Sequence, residues 1–101
     1  MINAVIIDEK DNVAVAIEEI AKGSEISYKL KDNSVQTIVA LDDITIYHKF
    51  AIKDMAQGEK VTKYGEHIGE ANKEIKIGQH VHIHNVVSVR EDLDKQVTAT
   101  V

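Results

Sequence analysis

All five histidines of the chain fall between positions 48 and 84, and they are the residues best suited to chemistry. Residues two apart in a strand share one face, so His80, His82 and His84 are predicted to line one surface, with the intervening aliphatic residues on the other. Imidazoles spaced in this way can converge on one ion, and imidazole suits iron, zinc and manganese-like sites. The alternative is a solvated strand face that happens to carry histidines.

Two imidazoles that lie two residues apart on this strand can bind one ion, so a third metal ligand must come from elsewhere in the chain, and His48 is the obvious candidate. The predicted metal set is therefore His48, His82 and His84. His80 is the least suited of the alternating three because it adjoins a glycine turn, and His67 is expected in an exposed loop.

Two lysines accompany these histidines as candidates for binding an anion. Lys49 follows His48 directly, and a cation beside a titratable ring can grip a carboxylate. Lys63 and Tyr64 lead into Gly65, where the ammonium could pair with an anionic substrate and the phenol could donate a hydrogen bond. The alternatives are an ordinary polar pair at Lys49 and a plain hairpin with a packed tyrosine at Tyr64.

Three glycines belong to a repeated phrase that must position these groups. Each copy opens with Ala, carries an acid at its fourth place, an aliphatic residue or Met at its fifth, Gly at its eighth and an aliphatic residue at its eleventh. Glycine permits the positive backbone angle that reverses a chain, so each copy is predicted to be strand, short turn, strand. Coincidence of common turn chemistry is the alternative. The copies are residues 16–26, 51–61 and 71–81.

The remaining pattern is that of short strands, which predicts an all-β domain of barrel-like or clip-like type, with 1–101 as a single domain. Residues 16–22 are the best helical candidate, of one or two turns. The predicted strands are residues 4–8, 12–17, 26–30, 35–41, 45–52, 80–89 and 97–101.

Composition excludes several classes of function. The net charge is −5, from 17 acidic and 12 basic residues without a basic block, so nucleic-acid binding is not expected. The absence of cysteine excludes disulfides, thiolate metal sites and cysteine nucleophiles. No signal peptide or membrane helix is expected either, and together these features predict a soluble cytoplasmic protein.

Several segments taken together resemble the N-terminal domain of the altronate and galactarate dehydratase family, an antifreeze-like (SAF) domain with a β-clip fold. The resemblance covers nearly the whole chain. Many family members carry Pro-Gly before the His-Lys pair, where this chain has Ile46 and Tyr47. The matching segments are 11–16 with Gly23, 47–54, Gly58–Glu59, Lys63–Gly69 and His80–Asn85.

The resemblance implies a hydro-lyase that acts on a sugar acid with a divalent metal, Fe(II) or alternatively Mn(II). It implies catalytic or metal-binding roles for His48, His82 and His84, whereas Lys49 or Lys63 would hold the substrate carboxylate.

Tyr64 and Asn85 complete the candidate substrate contacts. A large catalytic dehydratase subunit is expected as partner, holding or sharing the metal. A sulfolactate sulfo-lyase small subunit and a non-catalytic sugar-acid- or protein-binding module are the alternatives, and the sequence leaves homo-oligomerisation open.

Overall fold

The computed structural model describes residues 2–6, 8–82 and 84–88, and nine strands account for its regular structure. The all-β prediction is confirmed. The predicted strand 97–101 lies outside the described residues. In chain order the strands are β1 (Ala4–Val5), β2 (Val13–Ala16), β3 (Glu25–Lys29), β4 (Val35–Val39), β5 (Lys49–Ala51), β6 (Lys60–Lys63), β7 (Glu66–Ala71), β8 (His80–Val81) and β9 (Val86–Ser88).

A four-stranded antiparallel sheet in the order β1-β2-β5-β8 lies at the centre, and both of its faces are covered. The β3–β4 hairpin packs on one face, and the sheet β6-β7-β9 packs on the other. Alternation along the central strands therefore sends successive side chains into two different cores. The first core includes Ala14, Ala16, Ile26, Tyr28 and Phe50, and the second includes Val13, Ala51, Val61, Ala71, Val81 and Val86.

The repeated phrase is confirmed as a structural unit, and the structure adds a fourth copy at residues 40–50. Gly23, Gly58 and Gly78 reverse the chain with φ of 91°, 89° and 93°. In the added copy Tyr47 occupies the glycine place with φ of 71°. Residues 45–48, predicted as strand, are therefore the turn of this copy, and β5 begins only at Lys49.

The four copies associate in two pairs through the residue at their fifth place. Ile20 and Ile44 exchange backbone hydrogen bonds of 3.0 and 2.8 Å, and Met55 and Ile75 exchange bonds of 2.7 and 2.8 Å. All four side chains are buried, so each exchange also fills the core. The backbone of a copy is thus satisfied by its partner copy rather than by a helix or a continuous sheet.

In the copies 16–26, 40–50 and 51–61 the acid at the fourth place accepts a hydrogen bond from the turn of the partner copy. The carboxylate of Asp43 accepts from the backbone N–H of Lys22 at 2.8 Å. The carboxylate of Asp54 likewise accepts from the N–H of Ile77 at 2.9 Å. These bonds satisfy turn N–H groups that the reversal leaves without a ladder partner, which explains the recurring acid.

The helical prediction for residues 16–22 is wrong. β2 ends at Ala16, and Ile20 forms its isolated bridge to Ile44. Ile17, which helical spacing would place beside Ile20 in the core, is 42% exposed. Pairing between distant copies outweighs the weak local preference for a single helical turn.

The prediction of one continuous histidine strand is also wrong. β8 ends at Val81, a turn follows, and β9 belongs to a different sheet. Asn85 is 3% exposed and forms this turn, since its side-chain oxygen accepts from the N–H of His82 at 3.0 Å and its amide donates to the carbonyl of His80 at 2.8 Å.

Candidate functional site

Three imidazoles meet at one edge of the central sheet. β5 and β8 pair antiparallel, with Lys49 opposite Val81 and Phe50 opposite His80. Facing residues in such a pair share one side of the sheet, so His80 lies on the side that buries Phe50. His48 immediately precedes β5 and reaches the same place.

The rings form a compact cluster, defined here as His48, His80 and His82. Nδ1 of His48 and Nε2 of His80 are 2.9 Å apart, a hydrogen bond in which one ring donates and the other accepts. The ring centroid of His82 lies 4.9 Å from that of His48 and 5.6 Å from that of His80. One nitrogen from each ring can be chosen so that all three lie within 4.8 Å of one another, and all three residues are half-buried.

The structure places the predicted histidines differently from the sequence pattern in one respect. His48 and His82 lie in the cluster, but its third member is His80, which the sequence ranked lowest. The ring of His84 lies against His80 with a centroid distance of 5.3 Å, and His84 is exposed. His67 is exposed as predicted, although it lies on β7 rather than in a loop.

Burial and neighbouring charge favour the neutral forms of His80 and His82. Burial, followed by the proximity of His48, His84 and His82, lowers the pKa of His80 to about 4, with a smaller opposing effect of Asp42. The pKa of His82 is lowered in the same direction, by burial and then by His48, Lys49 and His84. Neutral imidazoles can accept a proton or bind a metal at neutral pH.

Lys49 lies on β5 opposite Val81, so its side chain leaves the sheet on the other face from that of His80. The residue is 6% exposed, and burial followed by the neighbouring charge of Lys63 lowers its pKa to about 8. Its charge in turn lowers the pKa of His82. Electrostatic interactions therefore link Lys63 to Lys49 and Lys49 to His82.

The second lysine is carried by the tight hairpin between β6 and β7, as the glycine signal predicted. Tyr64 and Gly65 both adopt positive φ, of 57° and 76°, as a two-residue hairpin turn requires. The ammonium of Lys63 lies 4.8 Å from the centroid of the Tyr64 ring, and that ring is 52% exposed. An exposed phenol beside a cation can still meet a ligand.

Two buried polar residues hold this hairpin in place. The carboxylate of Asp11, 1% exposed, accepts from the N–H of Gly65 at 2.8 Å. The side chain of Asn12 donates to the carbonyl of Lys60 and accepts from the N–H of Thr62, both at 2.8 Å. Asp11 and Asn12 therefore fix the position of the backbone that carries Lys63.

Asp42 is a site residue that sequence reasoning missed. Its carboxylate accepts from the backbone N–H of His80 at 2.9 Å. The signal that could have found it is the fourth copy, in which Asp42 stands immediately before the acid at the fourth place. Asn85 hydrogen-bonds to the backbone that carries His80 and His82, and its contact with substrate stays a prediction.

A cleft of about 570 Å³ lies elsewhere on the molecule. Its walls come from Ile6, Asp8, Glu9 and Asp11, from the β3–β4 hairpin and from Ile52 and Lys53, and no cluster histidine lines it. The histidine cluster and this cleft are therefore at separate places on the molecule. No helix in the part of the chain that the structure describes is long and apolar enough to cross a membrane.

The protein is a small all-β domain built from paired turns. It carries imidazoles and amines at one edge of its central sheet, called here the basic edge (His48, His80, His82, Lys49 and Lys63). Residues 2–89 match the altronate/galactarate dehydratase SAF domain, and the chain belongs to that family.

The chain is 46% identical over 85 residues to altronate dehydratase of Escherichia coli, and this region is 84% of the chain but 16% of the relative. It is 34% identical over 88 residues to altronate dehydratase of Bacillus subtilis, and this region is 86% of the chain but 16% of the relative. It is also 34% identical over 91 residues to (2R)-sulfolactate sulfo-lyase subunit alpha of Chromohalobacter salexigens, with 88% of the chain and 97% of the relative covered. The chain thus resembles one segment of the longer relatives and nearly all of the shorter one.

Proposed function

We propose that the chain is the small subunit of a two-subunit lyase that dehydrates a sugar acid, and that it supplies imidazoles and amines to a site completed by a large subunit. The observation that carries the proposal is the convergence of His48, His80 and His82 beside the buried Lys49. Relatives named as lyases at 34% to 46% identity support the reaction class.

The need for a partner rests on the openness of the site and on the lengths of the relatives. The three imidazoles are half-buried at a sheet edge and do not line the 570 Å³ cleft. Elimination from an acid requires a pocket that orients the substrate and excludes water. In the altronate dehydratases this segment is 16% of the chain, which leaves ample protein to provide the remaining walls.

The chemistry of the cluster suits β-elimination from a carboxylic acid. A base must take the proton α to the carboxylate, and an acid must help water leave the β carbon. A neutral imidazole can take the proton, and an adjacent ring in the same cluster can return one. Lys49 and Lys63 would hold the substrate carboxylate and stabilise the negative charge that develops next to it.

The donor set also fits a divalent metal. Three imidazole nitrogens within 4.8 Å of one another can converge on one first-row ion with modest side-chain rotation. His48, His80 and His82 would hold Fe(II) or Mn(II), alone or together with groups of the large subunit. When bound, such an ion would supply Lewis-acid polarisation of the substrate oxygens.

The test is a reconstituted complex of this chain with its large subunit, assayed for the keto acid formed from altronate. His82→Ala is expected to lower kcat by about a hundredfold or more, the range for loss of a proton-transferring group. His67→Ala is the matched control, because His67 is an exposed histidine outside the cluster. Full activity of the His82→Ala complex would leave the domain a non-catalytic binding module.

A sulfolactate sulfo-lyase small subunit is the second candidate. The coverage of 97% of a sulfo-lyase subunit alpha favours it, since that relative is itself a chain of this size. Both reactions remove a group β to a carboxylate, so the same imidazoles and lysines serve either. Release of sulfite from (2R)-sulfolactate by the reconstituted complex, with no turnover of altronate, would select this candidate.

A further inference from the structure

The β3–β4 hairpin has two outer edges, and within the described part of the chain only that of β3 is covered. There the N–H of Asn3 donates to the carbonyl of Ser27 at 3.1 Å, and its side-chain oxygen accepts from the N–H of Ser27 at 2.8 Å. The side-chain amide of Asn3 also donates to the carbonyl of Glu25 at 3.2 Å. Asn12 covers the outer edge of β6 in the same way. No described strand pairs with the outer edge of β4.

The outward backbone groups of β4 belong to alternate residues. In an antiparallel pair, residues that exchange hydrogen bonds with the partner strand alternate with residues whose N–H and C=O point away from it. The N–H of Ala40 donates to the carbonyl of Ser24 at 2.9 Å, so the even-numbered residues of β4 bond to β3. The backbone groups of Val35, Thr37 and Val39 therefore point to the outer edge.

This open edge, defined here as Val35, Thr37 and Val39, lacks the features that usually protect an edge strand. Val35 and Val39 are each 52% exposed, and Thr37 is exposed as well. Residues 33–41 carry no charge, in a chain in which 29% of the residues are charged. The register of β3 with β4 is regular, without a bulge. Because natural edges are blunted by lysine, proline or bulges, an uncharged regular edge favours pairing with another strand.

The open edge is bounded at both ends. At one end the N–H of Leu41 donates to the carbonyl of Gly78 at 2.8 Å, so this segment already has a neighbour. At the other end the chain reverses at Asn33, which has φ of 72°. Thr37 therefore lies at the centre of the stretch that can accept a further strand.

The open edge is self-complementary about Thr37. A two-fold axis there places Thr37 opposite Thr37 of a second copy and Val35 opposite Val39, so the outward backbone groups face each other and can exchange hydrogen bonds. Hydroxyl meets hydroxyl, and valine meets valine. In the hairpin Glu25 lies beside Val39. Lys29 lies beside Val35, so each row of side chains that contains the valines has an acid at one end and an amine at the other.

We propose that the chain forms a two-fold symmetric dimer in which the open edges of two copies pair antiparallel about Thr37. The two hairpins then become one four-stranded sheet. The outward backbone groups of β4 gain partners, and the exposed valines lose contact with water. The pairing uses no residue of the basic edge, and it therefore does not depend on the proposed function.

A single cysteine tests the register, because the chain contains none. Thr37→Cys places two thiols at the axis with Cα atoms about 5.5 Å apart, which a disulfide can bridge. Val35→Cys is the matched control, since its two copies would lie about 14 Å apart along the paired strands, too far for a disulfide. Oxidation of the full chain is expected to give a covalent dimer of Thr37→Cys but not of Val35→Cys. A mixture of Val35→Cys with Val39→Cys is expected to cross-link.

Analytical ultracentrifugation measures the association itself, and wild type is expected to have the mass of two chains. Thr37→Lys sets like charges opposite each other at the axis and is expected to raise the dissociation constant roughly tenfold or more. Ser27→Lys is the control, because it adds the same charge to the same face one strand farther from the axis. Both variants remove the 3.3 Å contact between the hydroxyls of Ser27 and Thr37, and circular dichroism should show both folded.

Three results would overturn the proposal. A wild-type chain that remains a monomer at every concentration would remove the dimer. Equal cross-linking of Thr37→Cys and Val35→Cys would remove the register. A monomeric chain whose affinity for the large subunit falls in Thr37→Lys, but not in Ser27→Lys, would assign the open edge to a strand of that subunit.

Discussion

Gly58 and Gly78 offer a direct measurement of what the paired turns require, because they are equivalent residues with different surroundings. Their φ values are 89° and 93°, so alanine suffers the same backbone strain at both. A Cβ added at Gly58 meets nothing within 4 Å. A Cβ added at Gly78 would lie 2.2 Å from the carbonyl oxygen of Val39 and 3.2 Å from the N of Leu41.

The free-energy costs of the two substitutions should therefore differ only by the steric clash at Gly78. Gly58→Ala is expected to cost about 1–2 kcal/mol, the penalty of a left-handed residue with a Cβ. Gly78→Ala adds a contact more than 1 Å inside the usual separation of about 3.3 Å for carbon and oxygen. The backbone at Val39 and Leu41 must shift, which weakens the 2.8 Å bond from the Leu41 N–H to the Gly78 carbonyl. Overpacking and loss of that bond raise the expected total to about 3–5 kcal/mol.

Urea unfolding followed by circular dichroism measures both free energies, since the chain has no tryptophan. Gly23→Ala should destabilise the protein as much as Gly58→Ala, because Gly23 has φ of 91° and nothing lies within 4 Å of its added Cβ. Equal destabilisation by Gly58→Ala and Gly78→Ala would refute the packing of β4 against the turn at Gly78. The same shift would move Asp42, so Gly78→Ala should also disturb the backbone of His80.

Three further perturbations follow from the contacts. Asn12→Ala should lower the free energy of unfolding by about 1–3 kcal/mol in urea titrations, because it removes the hydrogen bonds to the part-buried carbonyl of Lys60 and N–H of Thr62; an effect below about 0.5 kcal/mol would contradict this. With a chelator present, wild type should lose about 1–2 kcal/mol as pH falls from about 6.5 to about 4, since the half-buried His80 has its pKa lowered in the folded state and the unfolded chain takes up the proton first. His80→Asn should flatten that dependence, and an unchanged slope would count against it. Lys76→Ala should leave the urea midpoint unchanged, because its 2.9 Å ion pair with Glu74 is exposed, and a clear shift would contradict that.

Local signals made much of the fold predictable. Positive φ at Gly23, Gly58 and Gly78 is a requirement of the turns themselves, so the glycine pattern located three copies without knowledge of their partners. The Lys63–Gly65 hairpin was predictable for the same reason. The association of copies was not, because the bridge between Ile20 and Ile44 depends on residues far apart in sequence, and it replaced the predicted helix.

The histidine run shows how a tertiary contact changes a correct local pattern. Alternation from His80 placed the rings on one side, and the rings of His82 and His84 do lie within 5.6 Å of that of His80. The strand nevertheless stops, because the side chain of Asn85 bonds to the backbone of His80 and His82 and closes a turn. That turn, and the hydrogen bond between the rings of His48 and His80, made His80 the third member of the cluster.

The fourth copy explains why the basic edge lies where it does. A strand begins near the end of each copy. Among these four strands, only those of copies 40–50 and 71–81 are neighbours, and they are β5 and β8 of the central sheet. The strands after copies 16–26 and 51–61 are β3 and β6, which lie in different sheets. Side chains at the ends of copies 40–50 and 71–81 therefore meet across two hydrogen-bonded strands, β5 and β8. In the part of the chain that the structure describes, only this pair of copies ends on hydrogen-bonded neighbouring strands, and His48, Lys49 and His80 lie there.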